Sequence, residues 1–211
     1  MRSGRCCGTG SRHALRTRAG GFYFSPANDT SKSNLWLVYL EGGQWCYDAA
    51  SCAQRQVLFP YLTSSWPWYK HLRMGGIFDA DPRRSPWAGA NLVFIGYCSS
   101  DAWVGDVGPE SNSWGWSFRG QRIIKSVFAA LAYGVDVTTT ETVHYPNKTH
   151  AKVTQTATYK FGPAPKVLFA GCSAGSRGAM FNLDYVQDML PPGAAPVLGF
   201  FDSPMCALCN V

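Results

Sequence analysis

Val167-Leu168-Phe169-Ala170-Gly171-Cys172-Ser173-Ala174-Gly175-Ser176 is an apolar run that leads straight into the pattern G-x-S-x-G. Between a strand and a helix this pattern is a nucleophile elbow, a sharp turn that holds a serine hydroxyl proud of the sheet. Gly171 and Gly175 stand where such a turn leaves no room for a Cβ atom. Short Gly-Ser patterns arise by chance, so the flanks decide the reading. A strand-like run opening on the β-branched Val167 precedes Ser173. A helix-like segment with Met180, Phe181, Leu183, Val186, Met189 and Leu190 follows it and ends at Pro191-Pro192.

Outward from the elbow, Leu35 to Leu40 and Asn91 to Tyr97 are short continuous apolar runs, which suits strands buried on both faces. The first ends at Glu41-Gly42-Gly43, the second at Cys98-Ser99-Ser100-Asp101. Ile123, Ile124, Val127, Phe128 and Leu131 form one stripe of a helix closed by Gly134. Val197 to Phe201, ending at Asp202, supplies a further strand. The alternation predicts an α/β fold, a mostly parallel sheet flanked by helices on both faces, with functional groups gathered at the C-terminal ends of strands. Gly42-Gly43, Asp101, Ser173 and Asp202 occupy such ends. Val135 to Pro165 is Thr-rich and weakly alternating, and reads as an inserted hairpin or surface loop.

With 211 residues and 46% hydrophobic content, the chain can bury the core of one domain. Of the net charge of +6, five units come from Arg2, Arg5, Arg12, Arg16 and Arg18 in residues 1–20, which contain no acid. That segment reads as disordered. It holds no apolar stretch of the length a secretory signal needs; its composition resembles a transit peptide, and a truncated start explains it as well. The rest is nearly neutral, which excludes the basic face of a nucleic-acid binder. No run reaches the ~18 consecutive apolar residues of a membrane span. Eight cysteines are many for a cytosolic enzyme, and they form no paired C-x-x-C units of a zinc site; Cys206-x-x-Cys209 stands alone. No metal or other cofactor is expected. Sequons at Asn28-Asp29-Thr30 and Asn147-Lys148-Thr149 fit an extracellular or secretory-pathway protein, and free buried thiols are the alternative reading of the cysteines.

Acyl transfer needs an activated nucleophile and donors aimed at the oxyanion that develops on the carbonyl. Ser173 is the candidate nucleophile and the Ala174 N–H a candidate donor. The helix that starts there presents its positive dipole end to negative charge. A second donor in this kind of fold comes from a glycine-containing loop after an earlier strand, and Glu41-Gly42-Gly43-Gln44-Trp45 has the chemistry and the place.

Four blocks carry a family resemblance. They are Trp36-Leu37-Val38-Tyr39-Leu40-Glu41-Gly42-Gly43-Gln44-Trp45-Cys46, Asn91-Leu92-Val93-Phe94-Ile95-Gly96-Tyr97-Cys98-Ser99-Ser100-Asp101-Ala102-Trp103, Phe118-Arg119-Gly120-Gln121-Arg122, and Leu168-Phe169-Ala170-Gly171-Cys172-Ser173-Ala174-Gly175. The chain resembles the pectin acetylesterase and Notum carboxylesterases, serine hydrolases of α/β-hydrolase fold, over roughly residues 22 to 205. The resemblance implies a partial α/β-hydrolase domain at 21–211, with the Thr-rich stretch at 135–165 as an insertion. It implies Ser173 as nucleophile and the backbone N–H groups of Gly43, Gln44 and Ala174 as the oxyanion hole. Trp45 is implied as an acyl-pocket wall, against a plain packing aromatic, and Cys46–Cys52 as a local disulfide beside the oxyanion loop. Gln44 departs from the Trp or Gly that the family often carries. Because the contribution there is a backbone donor, the change alters pocket lining more than charge stabilisation.

The implied substrate is an acylated polysaccharide such as pectin, with acetyl foremost because of Phe118-Arg119-Gly120-Gln121-Arg122. The alternatives are Notum-like removal of a fatty acyl group from a secreted, acylated protein, and a catalytically dead member that binds a glycan or a partner. An elbow serine needs a base, normally a histidine placed after it in the chain. No histidine follows Ser173: His13, His71, His144 and His150 all precede it. The family's acid and base lie beyond Val211, so the sequence reads as the N-terminal part of an esterase domain, weak or inactive as 211 residues. Asp202 reads as structural, His144 and His150 as solvated loop residues. The tail from Met205 to Val211 departs from the family pattern.

Overall fold

The apolar runs pair as strands, and the register of their pairing places the elbow. The computed structural model of the chain describes residues 2–5, 21–112, 114–144 and 150–204. Among them the strands are β1 (Arg2–Arg5), β2 (Gly21–Ser25), β3 (Leu35–Leu40), β4 (Asn91–Ile95), β5 (Val135–His144), β6 (His150–Tyr159), β7 (Lys166–Cys172) and β8 (Leu198–Asp202). The helices are α1 (Ala49–Leu58), α2 (Gly120–Tyr133), α3 (Ala174–Phe181) and α4 (Leu183–Gln187). Six strands form one sheet in the order β1-β2-β4-β3-β7-β8. β4, β3, β7 and β8 are mutually parallel, and β2 runs antiparallel to β4. Leu40 pairs with Ile95 on one side and Gly171 on the other, which brings the ends of β3, β4 and β7 level. β1 pairs with β2 from within the segment expected to be disordered, and residues 6–20 of that segment lie outside the described residues.

One face of the sheet buries Phe22, Phe24, Trp36, Val38, Val93, Ile95 and Phe169 against Ile124, Val127, Phe128 and Leu131 of α2. That is the helical stripe read from the sequence. Phe128 meets Phe169 edge-on with centroids 5.7 Å apart, the geometry aromatic quadrupoles favour. The opposite face, with Tyr23, Leu37, Leu92, Phe94 and Ala170, packs on Phe78, Trp68, Leu72, Met74, Ile77 and Trp87. These come from the irregular segment between α1 and β4, so on this face the cover is loop rather than regular helix. Pro67, Pro82, Pro86 and Gly75-Gly76 in that segment disfavour a continuous helix.

Of the two readings of the Thr-rich stretch, hairpin or surface loop, the structure has the hairpin. β5 and β6 pair from Val135↔Tyr159 to His144↔His150. Thr138 and Thr156 hydroxyls lie 2.9 Å apart, Thr140 and Thr154 3.1 Å, and Thr158 Oγ1 donates to Asp136 Oδ1 at 2.6 Å. At its base Val135, Val137 and Tyr159 join the core. The segment after the elbow is not one helix but two, α3 and α4, divided at Asn182. Its buried side chain donates to Trp103 O at 3.1 Å and Gly178 O at 2.8 Å, and accepts from Gln121 Nε2 at 3.2 Å. The Gly178 carbonyl thus accepts both the backbone N–H and the side chain of Asn182, which caps the end of α3. Among the described residues no helix is long and apolar enough to cross a membrane.

Asn91 ties the start of β4 to both neighbours: Oδ1 accepts from Ala27 N at 3.0 Å, and Nδ2 donates to Ser33 O at 2.8 Å and Leu35 O at 3.2 Å. Asn91→Ala removes three part-buried hydrogen bonds made by a buried side chain. It is expected to destabilise by about 2–4 kcal/mol in urea denaturation, and a loss under about 0.5 kcal/mol would show that water replaces these bonds.

Candidate active site

Ser173 sits between β7 and α3 at φ 56°, ψ −119°, a region that L-residues rarely occupy. Its N–H donates to Asp202 O at 2.9 Å, so the end of β8 braces the turn. A Cβ on Gly175 would meet the carbonyl oxygens of Leu40 and Glu41. A Cβ on Gly42 would lie 2.5 Å from Cys172 O and 3.3 Å from Ser173 Cβ. The loop after β3 and the elbow therefore touch backbone to backbone, and glycine is required on both sides of the contact.

The loop itself is held in an unusual conformation, with Gln44 at φ 58°. Cys46 is bonded to Cys52 of α1, with their Cα atoms 5.0 Å apart. Asp48 caps α1 through Ser51 N at 2.6 Å, and Ser51 Oγ accepts from Asp48 N at 3.1 Å. That reciprocal pair is a capping box in which serine takes the place of the usual Glu or Gln. Among the described residues, the N–H groups of Gly43, Gln44 and Ala174 have no acceptor, and Ser173 Oγ has no hydrogen-bond partner. The structure thus brings three unpaired donors onto the two segments that meet at a half-buried serine.

The pectinacetylesterase family model matches residues 5–143, about two thirds of the chain. The chain belongs to the pectinacetylesterase family. It is 34% identical over 190 residues to palmitoleoyl-protein carboxylesterase notum1 of Xenopus laevis, covering 88% of this chain and 33% of that protein. It is 33% identical over 177 residues to NOTUM of Drosophila melanogaster, covering 81% of this chain and 22% of the other. The crystal structure of the Wnt deacylase Notum from Drosophila superposes with a TM-score of 0.68 at 30% identity, over 88% of this chain and 48% of that one. The chain spans about a third or less of the length of these curated relatives. Its mixed, mostly parallel sheet is of α/β-hydrolase type.

In this member of the family the remaining residues singled out from the sequence fall into place unevenly. Trp45 is half-buried against the core, with the Arg177 guanidinium 4.7 Å from its ring centroid, so it is fastened to the elbow helix. Asp101 is not a free strand-end carboxylate. It accepts from Ser99 Oγ at 2.6 Å, Trp103 N at 3.0 Å, Gly105 N at 3.1 Å and Gly120 N at 2.7 Å. Burial pushes its pKa up against the pull of those four donors. Asp202 Oδ1 accepts from Ser203 Oγ at 3.0 Å, and its carboxylate also lies beside the Cys172 thiol, whose pKa burial and then Asp202 push up. The Cys98 thiol is pushed up to about 12 by burial, then by Asp101 and Glu41. Neither thiol is set up as a nucleophile. The backbones of His144 and His150 pair at the end of the hairpin away from its base.

Arg55 and Glu41 are the residues that sequence reasoning missed. Arg55 is buried on α1 one turn after Cys52; its Nε donates to Ser100 Oγ at 2.7 Å and its Nη2 to Gly43 O. The available signal was its i+3 spacing from Cys52, the residue the resemblance pairs with Cys46 of the oxyanion block. Glu41 Oε2 accepts from Tyr97 N at 2.8 Å, and Glu41 O accepts from Trp103 Nε1 at 3.0 Å. Burial pushes the Glu41 pKa up, and the Tyr97 N–H offsets only part of the rise.

A carboxyl whose folded pKa is raised takes up a proton on folding between the unfolded and folded values. The penalty of burying the charge is absent below the unfolded value of about 4.3 and grows as pH rises through the folded one. Glu41→Gln keeps an oxygen for the Tyr97 N–H and removes the charge. Its stability relative to the unmutated protein is expected to rise between about pH 4 and pH 7 in denaturant titrations. A flat or falling difference would show that the carboxylate carries no burial penalty.

Proposed function

We propose that this pectinacetylesterase-family protein is a serine carboxylesterase in which Ser173 is the nucleophile and the N–H groups of Gly43, Gln44 and Ala174 form the oxyanion hole. The observation that carries the reading is the strained Ser173 turn in backbone contact with Gly42, with three unpaired donors on the joined segments. Ser173 Oγ attacks the ester carbonyl, and the negative charge that develops on its oxygen is met by the three N–H groups and the N-terminal end of α3. Collapse expels the alcohol and leaves an acyl-serine, which water hydrolyses. The hydroxyl proton must pass to a base and then to the departing alkoxide. That base is a group outside the described residues. Trp45, beside α3, lines the acyl side of the site.

The substrate we assign is an O-acetylated polysaccharide of the pectin type, supported by the match to the pectinacetylesterase family and by Phe118-Arg119-Gly120-Gln121-Arg122. The second reading, removal of a fatty acyl group from a protein, is favoured by the relatives, which are palmitoleoyl-protein carboxylesterases. An extracellular or secretory location agrees with the Cys46–Cys52 disulfide. We assign residues 21–211 to a hydrolase domain that shares its scaffold with those relatives.

In a full-length form that supplies the base, Ser173→Ala is expected to lower p-nitrophenyl acetate turnover by at least about 1,000-fold, and equal turnover would sink the nucleophile assignment. On a series of p-nitrophenyl esters, kcat/KM is expected to fall as the acyl chain lengthens. A preference of about tenfold or more for octanoate over acetate would move the assignment to the fatty-acyl reading.

A further inference from the structure

We infer that Arg55 is a positioning residue that aims the Gln44 N–H at the oxyanion by holding the far end of the same peptide; this rests on the esterase reading above. Arginines as buried as this one are normally paired with a carboxylate. Among the described residues Arg55 makes no ion pair. Its donors go to Gly43 O and Ser100 Oγ, with Gln44 O 3.5 Å from Nη2 and the Tyr97 ring centroid 5.9 Å from Cζ. Burial pushes its pKa down, yet an arginine remains charged at neutral pH. A buried charge with no counter-ion is an expensive way to fill space, since apolar groups of the same volume are often as stable or more so. Its partners therefore carry the explanation, and they are the carbonyls of the oxyanion loop.

A trans peptide is planar, with its C=O and N–H pointing in opposite directions. The peptide joining Gly43 to Gln44 has its oxygen on the guanidinium and its N–H without an acceptor. Fixing the oxygen on the α1 side turns the N–H to the other side. The constraint is needed because Gln44 at φ 58° is in the left-handed region, which costs a non-glycine residue about 1 kcal/mol or more. The positive charge also polarises the peptide, and a carbonyl that accepts a strong hydrogen bond makes its own N–H a better donor. Ser100 keeps the guanidinium in register, because its Oγ in turn donates to Leu62 O at 2.7 Å. In the peptide that carries the Ala174 N–H, the oxygen (Ser173 O) accepts only the neutral backbone N–H of Arg177 at 3.1 Å, with no charged donor, so the two halves of the oxyanion hole can be told apart.

Two variants test this, made in the 211-residue chain for the spectra and in an active form that supplies the base for the kinetics. In Arg55→Met the backbone amide nitrogen of Gln44 is expected to move upfield in ¹⁵N spectra, because its carbonyl partner loses a charged donor, while the Ala174 amide stays in place. With p-nitrophenyl acetate, kcat is expected to fall about 10- to 100-fold with KM within about twofold. Arg55→Lys keeps the charge but cannot bridge Gly43 O and Ser100 Oγ as a fork, and is expected to fall between the two. If Arg55→Met does not fold, Arg55→Lys carries both readouts. A folded variant with an unmoved Gln44 amide, or a loss confined to KM, would overturn the inference. Should Ser173→Ala retain full turnover, the esterase reading fails, and the Gln44 shift still decides the role of Arg55 in the loop.

Discussion

Everything at the candidate site depends on one close approach of two backbones. Gly42 lies on the Cys172 carbonyl and Ser173 Cβ, and Gly175 lies on the carbonyls of Leu40 and Glu41. No side chain fits between them, so the geometry is set by peptide planes rather than by rotamers. It exists because β3 pairs in parallel with both β4 and β7 and all three strands stop at the same level. A shift of register by one residue would move Gly42 off the elbow and reverse the faces of a whole strand.

Around that contact the protein collects buried polar groups. Glu41, Asp101 and Arg55 are each held by backbone or hydroxyl partners rather than by one another. Each is therefore desolvated without an opposite charge to compensate, and the fold gives up stability to fix three loops. Asp101 gathers the loop after β4 onto the start of α2, Glu41 joins β3 to Tyr97, and Arg55 joins α1 to the loop after β3. Apolar packing on α2 and on the segment from Trp68 to Ala90 supplies the opposing term.

The parts of the fold that could be read from the sequence are those whose cause is local. Leu35 to Leu40, Asn91 to Ile95 and Val167 to Cys172 form strands because each is an unbroken apolar run beside a glycine or polar stop. The Ile124, Val127, Phe128 and Leu131 stripe and the Thr-rich hairpin follow from their own periodicity. The rest depends on partners far along the chain. Asn182 divides a helix because Trp103 O and Gln121 are there to meet it, and no local pattern reveals that. Asp101 was read only as a strand-end residue: its Ser99, Trp103 and Gly105 donors are local, but the Gly120 N–H that ties it to α2 lies 19 residues away. Arg55 was invisible for a related reason: its partners are carbonyl oxygens and a serine hydroxyl, which sequence does not mark. Gly21 to Ser25 gave too short a run to be separated from its flanks, and it becomes a strand only beside Val93 and Ile95.

The pairing of β3 with β7 joins Leu35 to Lys166 and encloses most of the chain in one loop. Contacts so distant in sequence form slowly, because the entropy of closing the loop is lost before any packing energy is gained. The hairpin of β5 and β6, the Cys46–Cys52 ring and α1 are local and can form first. Ser173 and Gly42 follow two strands whose pairing is among the most distant in sequence, so a chain in which that pairing has not formed does not hold the two halves of the site together. Competence for chemistry and completion of the sheet are then one kinetic event.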